Sequence, residues 1–255
     1  MYQNIGIKVT PNYSPNFNLI KRLKKKIKFI IIHYTGMKTE SAAIKKLQDS
    51  KSKVSSHFYI KKNGNILVLV PELYEAWHAG VSNWKNYKSL NKNSIGIEIT
   101  NPGHQYGYKN FTSKQILSLK KLLNYLIKKY KIKKEFILGH SDISPDRKKD
   151  PGEKFPWQIL SKSKLSYWHN LDLKKIKEHR NVKLTSQNEK NKFFKNLYKI
   201  GYNEIKPPKS DINKKYLVVA FQRRFRQSLI NGKIDKECLL ISNNLTSNKQ
   251  QSYIK

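Results

Sequence analysis

The sequence is short of cysteine, of acidic residues and of long apolar runs, and each shortage closes off a class of protein. Its one cysteine, Cys238, excludes an internal disulfide and a thiolate metal cluster. The longest apolar runs, "FIII" and "NILVLV", fall far below the ~20 residues that cross a bilayer. The opening "MYQNIGIKVTPNYSPNFNLIKRLKKK" holds no apolar stretch of the secretory kind and no small-residue cleavage site ahead of an acceptor cysteine. These absences predict a soluble, leaderless, cytoplasmic chain. The periplasm or cell envelope is the alternative, for a chain exported by another route or written without its leader.

Acidic residues number 17 against 52 lysines and arginines, a formal net charge of +35. Such an excess attracts polyanions. Here it is spread along the whole chain and is mostly lysine accompanied by Asn, Ile and Tyr, so a compositional bias on solvated faces explains it better than a nucleic-acid surface. No nucleic-acid reading motif accompanies the charge, and no specific nucleic-acid partner is expected. At 255 residues there is room for one large domain, or a main domain plus a small one.

The apolar pattern mixes strands with helices. "IKFIIIH" (27–33) is a short β-branched and aromatic run, the mark of a buried strand, and it ends on His33. "SSHFYIKKNGNILVLV" (55–70) reads as a hairpin around Asn63-Gly64, a pair suited to a type I′ turn. "SIGIEIT" (94–100) alternates, with Ile95, Ile97 and Ile99 on one face and Gly96, Glu98 and Thr100 on the other. A helix begins at Thr112, with Gln115 completing a capping box and an apolar stripe through Leu119, Leu122, Leu123 and Leu126. "EFILGH" (135–140) returns as a strand ending at His140. The expected fold is α/β, a mixed central sheet flanked by helices, followed by a small all-α three-helix unit.

His33, His140 and Asp150 all stand where strands meet loops. Singly, a strand-end histidine is commonly a structural residue, and an aspartate before Pro151 a turn residue. Together, two imidazoles and a carboxylate make a catalytic zinc shell with a fourth position left for water. Glu98, on the non-core face of its strand, supplies a candidate general base, and Lys148 or Lys149 a cation for a developing oxyanion.

"IIIHYTG", "VSSHFYI", "AWHAGVSNW", "SIGIEITNPG" and "GHSDISPDRKKDPGEKFPW" together resemble the zinc-dependent N-acetylmuramoyl-L-alanine amidases of the type 2 amidase family, in its AmiD and AmpD branch. The motifs occur in the family's order over roughly residues 27–160. The resemblance implies a zinc cleft at one end of the sheet, one Zn2+ held by His33, His140 and Asp150, Glu98 as catalytic glutamate, and Lys148 as the lysine that stabilises the tetrahedral intermediate. The implied reaction hydrolyses the amide between the lactyl group of N-acetylmuramic acid and L-alanine, in peptidoglycan or muropeptides. His57, Trp77, His78 and Trp84 lie in family-like segments expected to border the cleft. Asn101 either binds substrate or shapes the turn before Pro102. Asp142 and Asp146 are expected in the turn, and His104, His169 and His179 match no role.

Roughly residues 190–245 resemble a three-helix peptidoglycan-binding domain, most tellingly in "AFQRRF" followed by "NGKID", which implies such a domain over 190–255. The implied organisation is a catalytic domain over 1–178, a polar linker over 179–189 and the helical domain beyond it, in a monomer. A non-catalytic peptidoglycan-recognition protein is the rival reading, and the complete His33, His140 and Asp150 set argues against it.

Overall fold

The computed structural model describes residues 6–203 and 211–251. Its centre is a six-stranded sheet of β1 (Val9–Pro11), β2 (Phe29–Tyr34), β3 (Phe58–Ile60), β4 (Ile66–Val68), β5 (Ser94–Ile99) and β6 (Ile137–Gly139), in the order β1-β4-β3-β5-β2-β6. Strands β3, β5, β2 and β6 run parallel, while β4 is antiparallel to β3. The helices are α1 (Glu40–Gln48), α2 (Ser113–Tyr130), α3 (His140–Ile143), α4 (Trp157–Lys162), α5 (Leu173–Lys177), α6 (Gln187–Ile200), α7 (Asp211–Phe225) and α8 (Lys236–Gln251). The fold is the expected mixed α/β architecture.

Both faces of β2 are buried, which is why its sequence is continuously apolar rather than alternating. Ile30 and Ile32 join Ile95, Ile97 and Ile99 of β5 beneath the leucine stripe of α2. That helix starts as its capping box dictates: Gln115 N donates to Thr112 Oγ1 and Thr112 N donates to Gln115 Oε1. On the opposite face, Phe29, Ile31 and Leu138 belong to one apolar cluster with Phe193 and Leu197 of α6, Phe221 and Phe225 of α7, and Ile241 and Leu245 of α8. The C-terminal helices therefore share a hydrophobic core with the sheet.

The stretch expected to be a linker is fastened to α8. Arg180 grips Glu237 through Nε and Nη2, both at 2.7 Å, and Lys183 forms a backbone bridge with Asp235. Helix α6 starts at Gln187, inside that stretch, after the cap Ser186. Asp235 accepts from Cys238 N at the start of α8, as an N-cap does.

The hairpin forms, but its turn differs from the type I′ expectation. Gly64 N donates to Lys61 O, so Lys62 and Asn63 are the central residues, and only Gly64 (φ 89°) takes positive φ. A Cβ at Gly64 would stand 2.9 Å from Lys114 O and Ser118 Oγ. Packing against α2, together with the backbone angle, selects glycine here.

Candidate active site

Parallel strands side by side end side by side, and the polar residues collect at those ends. His33 and Glu98 are register partners near the C-terminal ends of β2 and β5. By the period of two they share the sheet face of Phe29 and Ile31, away from the isoleucines of β5. His140 follows Gly139, whose register partner on β2 is Ile32. The chain then turns through α3 and comes back, with Ser141 N donating to Asp150 O at 2.9 Å and Lys148 N to Ser144 O at 3.0 Å. Glycine and proline thus let one loop supply His140, Lys148 and Asp150 to the same place.

His33 Nδ1, His140 Nδ1 and Asp150 Oδ2 form a triangle with edges of 3.0, 2.9 and 3.1 Å. The hydrogen-bond network assigns the tautomers. His140 Nε2 lies 3.1 Å from Ala79 O, which only accepts, so Nε2 carries the hydrogen. Ser94 Oγ donates to Leu90 O at 2.6 Å, so it accepts from His78 Nε2 at 3.2 Å. His78 Nδ1 is then an acceptor, and His33 Nε2, 3.1 Å away, donates to it. Both Nδ1 atoms are left with bare lone pairs facing a carboxylate oxygen.

Three buried electron-pair donors without a hydrogen between them repel one another unless a cation sits among them. A tetrahedral zinc shell with bonds of 2.0–2.1 Å needs ligand–ligand edges of about 3.3 Å, close to this triangle. Far-side hydrogen bonds from each imidazole are what metal-binding histidines ordinarily make. The donor set therefore fits Zn2+ with three protein ligands and one open position. Burial lowers the His33 pKa to about 4, helped by His140 and opposed by Asp150, which keeps the ring neutral and able to ligate. Burial pushes the Asp150 carboxyl up, but His140 and His33 together outweigh it and hold the group well below the usual carboxylate range.

The triangle opens on a cavity of about 530 Å³ that Glu98, Lys148, Trp77 and His78 also line. Burial drives the Glu98 carboxyl up to about 8, the charge of Asp150 adding to the effect and Lys148 and Lys46 opposing it. Its Oε2 is buried with no hydrogen-bond partner among the described residues. Lys46, Arg147, Lys148 and Lys149 make the remaining wall cationic, suited to a substrate bearing carboxylates.

A family model described as N-acetylmuramoyl-L-alanine amidase matches residues 23–153. The chain is also 36% identical over 234 residues to N-acetylmuramoyl-L-alanine amidase AmiD of Escherichia coli, covering 85% of this chain and 81% of that protein. It belongs to the N-acetylmuramoyl-L-alanine amidase family. A second member, 1,6-anhydro-N-acetylmuramyl-L-alanine amidase AmpD of Haemophilus influenzae, is 45% identical over 107 residues, 42% of this chain and 56% of that amidase. Among solved amidases, the complex of E. coli AmiD with anhydro-N-acetylmuramic acid-L-Ala-D-gamma-Glu-L-Lys superposes with a TM-score of 0.77 at 31% identity over 92% of this chain and 93% of that one. AmpDh3 of Pseudomonas aeruginosa in complex with anhydromuramic pentapeptide gives 0.76 at 27% identity over 92% and 97%.

Two residues expected at the rim of the amidase cleft lie elsewhere, and a third takes the structural one of its two expected roles. His57, fully buried, accepts from Gly96 N through Nδ1 and has Arg22 Nη2 and Tyr74 O on Nε2, so it joins strands. Trp84, 2% exposed, packs edge-on to Tyr202 against the C-terminal helices, because its neighbours on the chain feed the second core. Asn101 accepts from Gly103 N and donates to Lys109 O, shaping the turn. Asp142 is also away from the triangle, accepting from Gly139 N, Tyr202 Oη and Arg224 Nη1.

Conversely, Tyr34 and His104 line the cavity although neither was singled out for the site. Tyr34 Oη and His104 Nδ1 are 2.9 Å apart, and His104 Nε2 lies 3.0 Å from Glu153. Tyr34 directly follows His33, at the end of the same strand, which was the one available signal. His104 sits in a turn whose direction depends on Gly103, at φ 68°, where a Cβ would stand 2.6 Å from the Tyr34 ring.

Proposed function

We propose that the protein is a zinc-dependent amidase that cleaves the bond between the lactyl carbonyl of N-acetylmuramic acid and L-alanine in muropeptides or peptidoglycan. One observation carries this reading: the hydrogen-free triangle of His33, His140 and Asp150 in register with the buried carboxyl of Glu98. The AmiD and AmpDh3 complexes hold anhydromuramic peptides, which supports the substrate class.

Zn2+ bound by His33, His140 and Asp150 would supply Lewis acidity and a bound water of pKa near 7. Glu98 takes the proton of the attacking water, whose oxygen bonds to the lactyl carbonyl carbon. Lys148 holds the negative charge that develops on the carbonyl oxygen. Glu98 then returns the proton to the departing nitrogen as the C–N bond breaks, giving a lactyl carboxylic acid and the amine of L-alanine, and the acid's proton passes to the amine to leave carboxylate and ammonium. Burial raises the Glu98 carboxyl, which strengthens it as the acceptor of the water's proton. Trp77 offers an aromatic face to the sugar or stem peptide.

Residues 1–178 form the catalytic unit in this reading, and 190–255 the unit that contacts the wall polymer. A groove between α6 and α7 lined by Lys190, Lys195, Lys214, Lys215 and Phe194 supports that second assignment, since it pairs cations with an aromatic face.

The test replaces Glu98 by Ala and measures both metal content and release of peptide from anhydro-muropeptides and from intact sacculi. One equivalent of zinc without hydrolysis is the expected result. Undiminished turnover removes Glu98 from its role, and binding without zinc or hydrolysis in the unaltered protein makes it a recognition protein instead.

A further inference from the structure

The segment "FNLIKRLKKKIK" (17–28) carries an aliphatic tip inside a ring of lysines. Leu19, Ile20 and Leu23 are 81%, 86% and 58% exposed. Single exposed leucines are ordinary, but three within five residues form a patch. Lys21, Lys24, Lys25, Lys26 and Lys28 are all exposed around it. Lys21 Nζ lies 5.8 Å from the centre of the Tyr74 ring, whereas Lys61, Lys129 and Lys236 are drawn into ion pairs elsewhere.

The protrusion is held in place at several points. Phe17 and Asn18 pair antiparallel with Ala76 and Glu75. Arg22, 9% exposed, plugs the chain into the body by donating to Asn91 O, Ser94 O and Glu72 O at 2.7, 2.8 and 2.7 Å. Lys24–Lys26 form a 3-10 turn, and Ile27 is buried again. The chain dips inward at Arg22 and Ile27 and presents residues 19–21 and 23–26 outward on either side of Arg22, so docking orders little that is not already ordered.

We propose that this protrusion docks the protein on an anionic lipid surface, with Leu19, Ile20 and Leu23 entering the boundary between headgroups and acyl chains. The lysines lie at phosphate level, their stems along the apolar layer and their charges outward. Protein–protein interfaces favour aromatic residues, Met and Arg and are depleted in Lys, whereas aliphatic anchors ringed by lysine fit a membrane interface. A second copy of this chain is a poor occupant, because each carries +35. The inference is independent of the chemistry assigned to the cleft. It bears on where the cleft sits, since Asn18 Oδ1 accepts from Nε1 of the cavity-lining Trp77 at 3.1 Å.

A protein this basic adheres to anionic vesicles through any face, so the informative variants hold the charge fixed or remove it elsewhere. The full chain is sedimented with phosphatidylglycerol-containing and with pure phosphatidylcholine vesicles at about 150 mM salt, where the Debye length is ~8 Å. Binding is expected only to the anionic vesicles. Leu19→Ser with Ile20→Ser should reduce it at least tenfold at unchanged charge, since withdrawing even one aliphatic side chain from the apolar layer is worth about that much. Replacing Lys24, Lys25 and Lys26 by Gln should weaken it far more than replacing Lys174, Lys175 and Lys177 on α5.

A fluorophore on Ile20→Cys reports insertion directly, since Cys238 is buried. A blue shift with anionic vesicles is expected. Equal losses from the two lysine sets, full binding by the serine variant, an unshifted fluorophore, or self-association lost in the serine variant without vesicle binding would each overturn the proposal.

Discussion

Arg224 of α7 and Asp142 of α3 form an ion pair at 2.8 Å with side chains 3% and 1% exposed. The guanidinium also donates to Ile137 O at 3.0 Å and lies 3.8 Å above the Trp157 ring. Asp142 in turn receives Gly139 N, directly before the candidate ligand His140. Replacing Arg224 by Met keeps much of the volume but leaves a buried carboxylate with only Tyr202 and Gly139 as partners. Loss of a buried ionic partner costs about 3–5 kcal/mol. Urea denaturation should show a loss of that size, with weaker zinc retention in a chelator competition. Arg224→Lys should rescue little, because lysine cannot both fork and stack. A stable, zinc-tight Arg224→Met protein would show that α7 does not brace the ligand loop.

His78 fixes the His33 tautomer, and Gly96 makes room for His78. A Cβ at Gly96 would stand 2.5 Å from the His78 ring. Residues that orient a metal ligand are typically worth about 10–100-fold in metal affinity. His78→Phe should lower zinc affinity in that range, and Gly96→Ala should do so by pushing the ring away. Calorimetric titration of chelator-treated protein measures both, and an unchanged affinity in His78→Phe would remove the relay from His33 to Ser94.

Lys148 and its neighbour Lys149 both border the cavity, and the proposed mechanism gives the oxyanion to Lys148. Removing one preorganised oxyanion donor costs roughly 10²–10³ in turnover. Lys148→Met should lower kcat in that range with metal content intact, and Lys149→Met should have a much smaller effect. Steady-state kinetics on anhydro-muropeptides decide it, and a reversal of the two assigns the charge to Lys149.

The metal-free protein should be most stable near pH 6.5. Burial lowers the pKa of His33 and His169 to about 4, and those of His57 and His78 well below their ordinary value. Unfolded, each takes up a proton as pH falls through 6.5, while the folded protein does not, so acidification favours the unfolded chain. Glu98 acts oppositely: its folded value of about 8 exceeds the unfolded 4.5, so its contribution is complete below 4.5 and disappears as pH rises through 8. Each proton of difference changes stability by about 1.4 kcal/mol per pH unit. Four histidines outweigh one carboxyl below 6.5, and the carboxyl acts alone above it. Denaturation midpoints at pH 4.5, 6.5 and 8 test the shape, and a maximum at 4.5 contradicts it.

Trp77 and Trp84 were equal candidates for the cleft and should behave differently. Trp84→Ala empties a core position and should destabilise by about 3–5 kcal/mol. Trp77→Ala should leave thermal stability nearly unchanged and raise KM. Paired melting curves and kinetics separate the two, and a KM change confined to Trp84→Ala would exchange their roles.

What the sequence made legible were the features set by local pattern. Strand ends at His33 and Glu98, the capping box at Thr112 and the apolar stripe of α2 follow from periodicity and from hydrogen-bonding rules within a few residues. Opaque features depend on which elements meet. His57 and His78 look alike in sequence, and only the pairing of β5 with its neighbours buries one beneath Gly96 N while setting the other behind His33. Asp142 gained its partner from α7, 82 residues away along the chain. The hairpin turn at Gly64 was decided by α2, which no local signal at Asn63-Gly64 records.

The core shared by the sheet and helices α6–α8 also fixes how the cleft is carried relative to the helical surface. A binding unit on a loose tether lets a catalytic unit sweep the area its leash allows, with a local concentration set by leash length. Here Phe221 and Leu197 are buried in the same cluster as Phe29, and Arg180 is clamped to Glu237, so there is no leash. Lengthening the 179–189 stretch would therefore not widen the reach of the cleft. The distance from cleft to helical surface is fixed like the jaws of a caliper, so that, in the proposed reading of the helices as a wall contact, only bonds at one spacing from that contact come within reach.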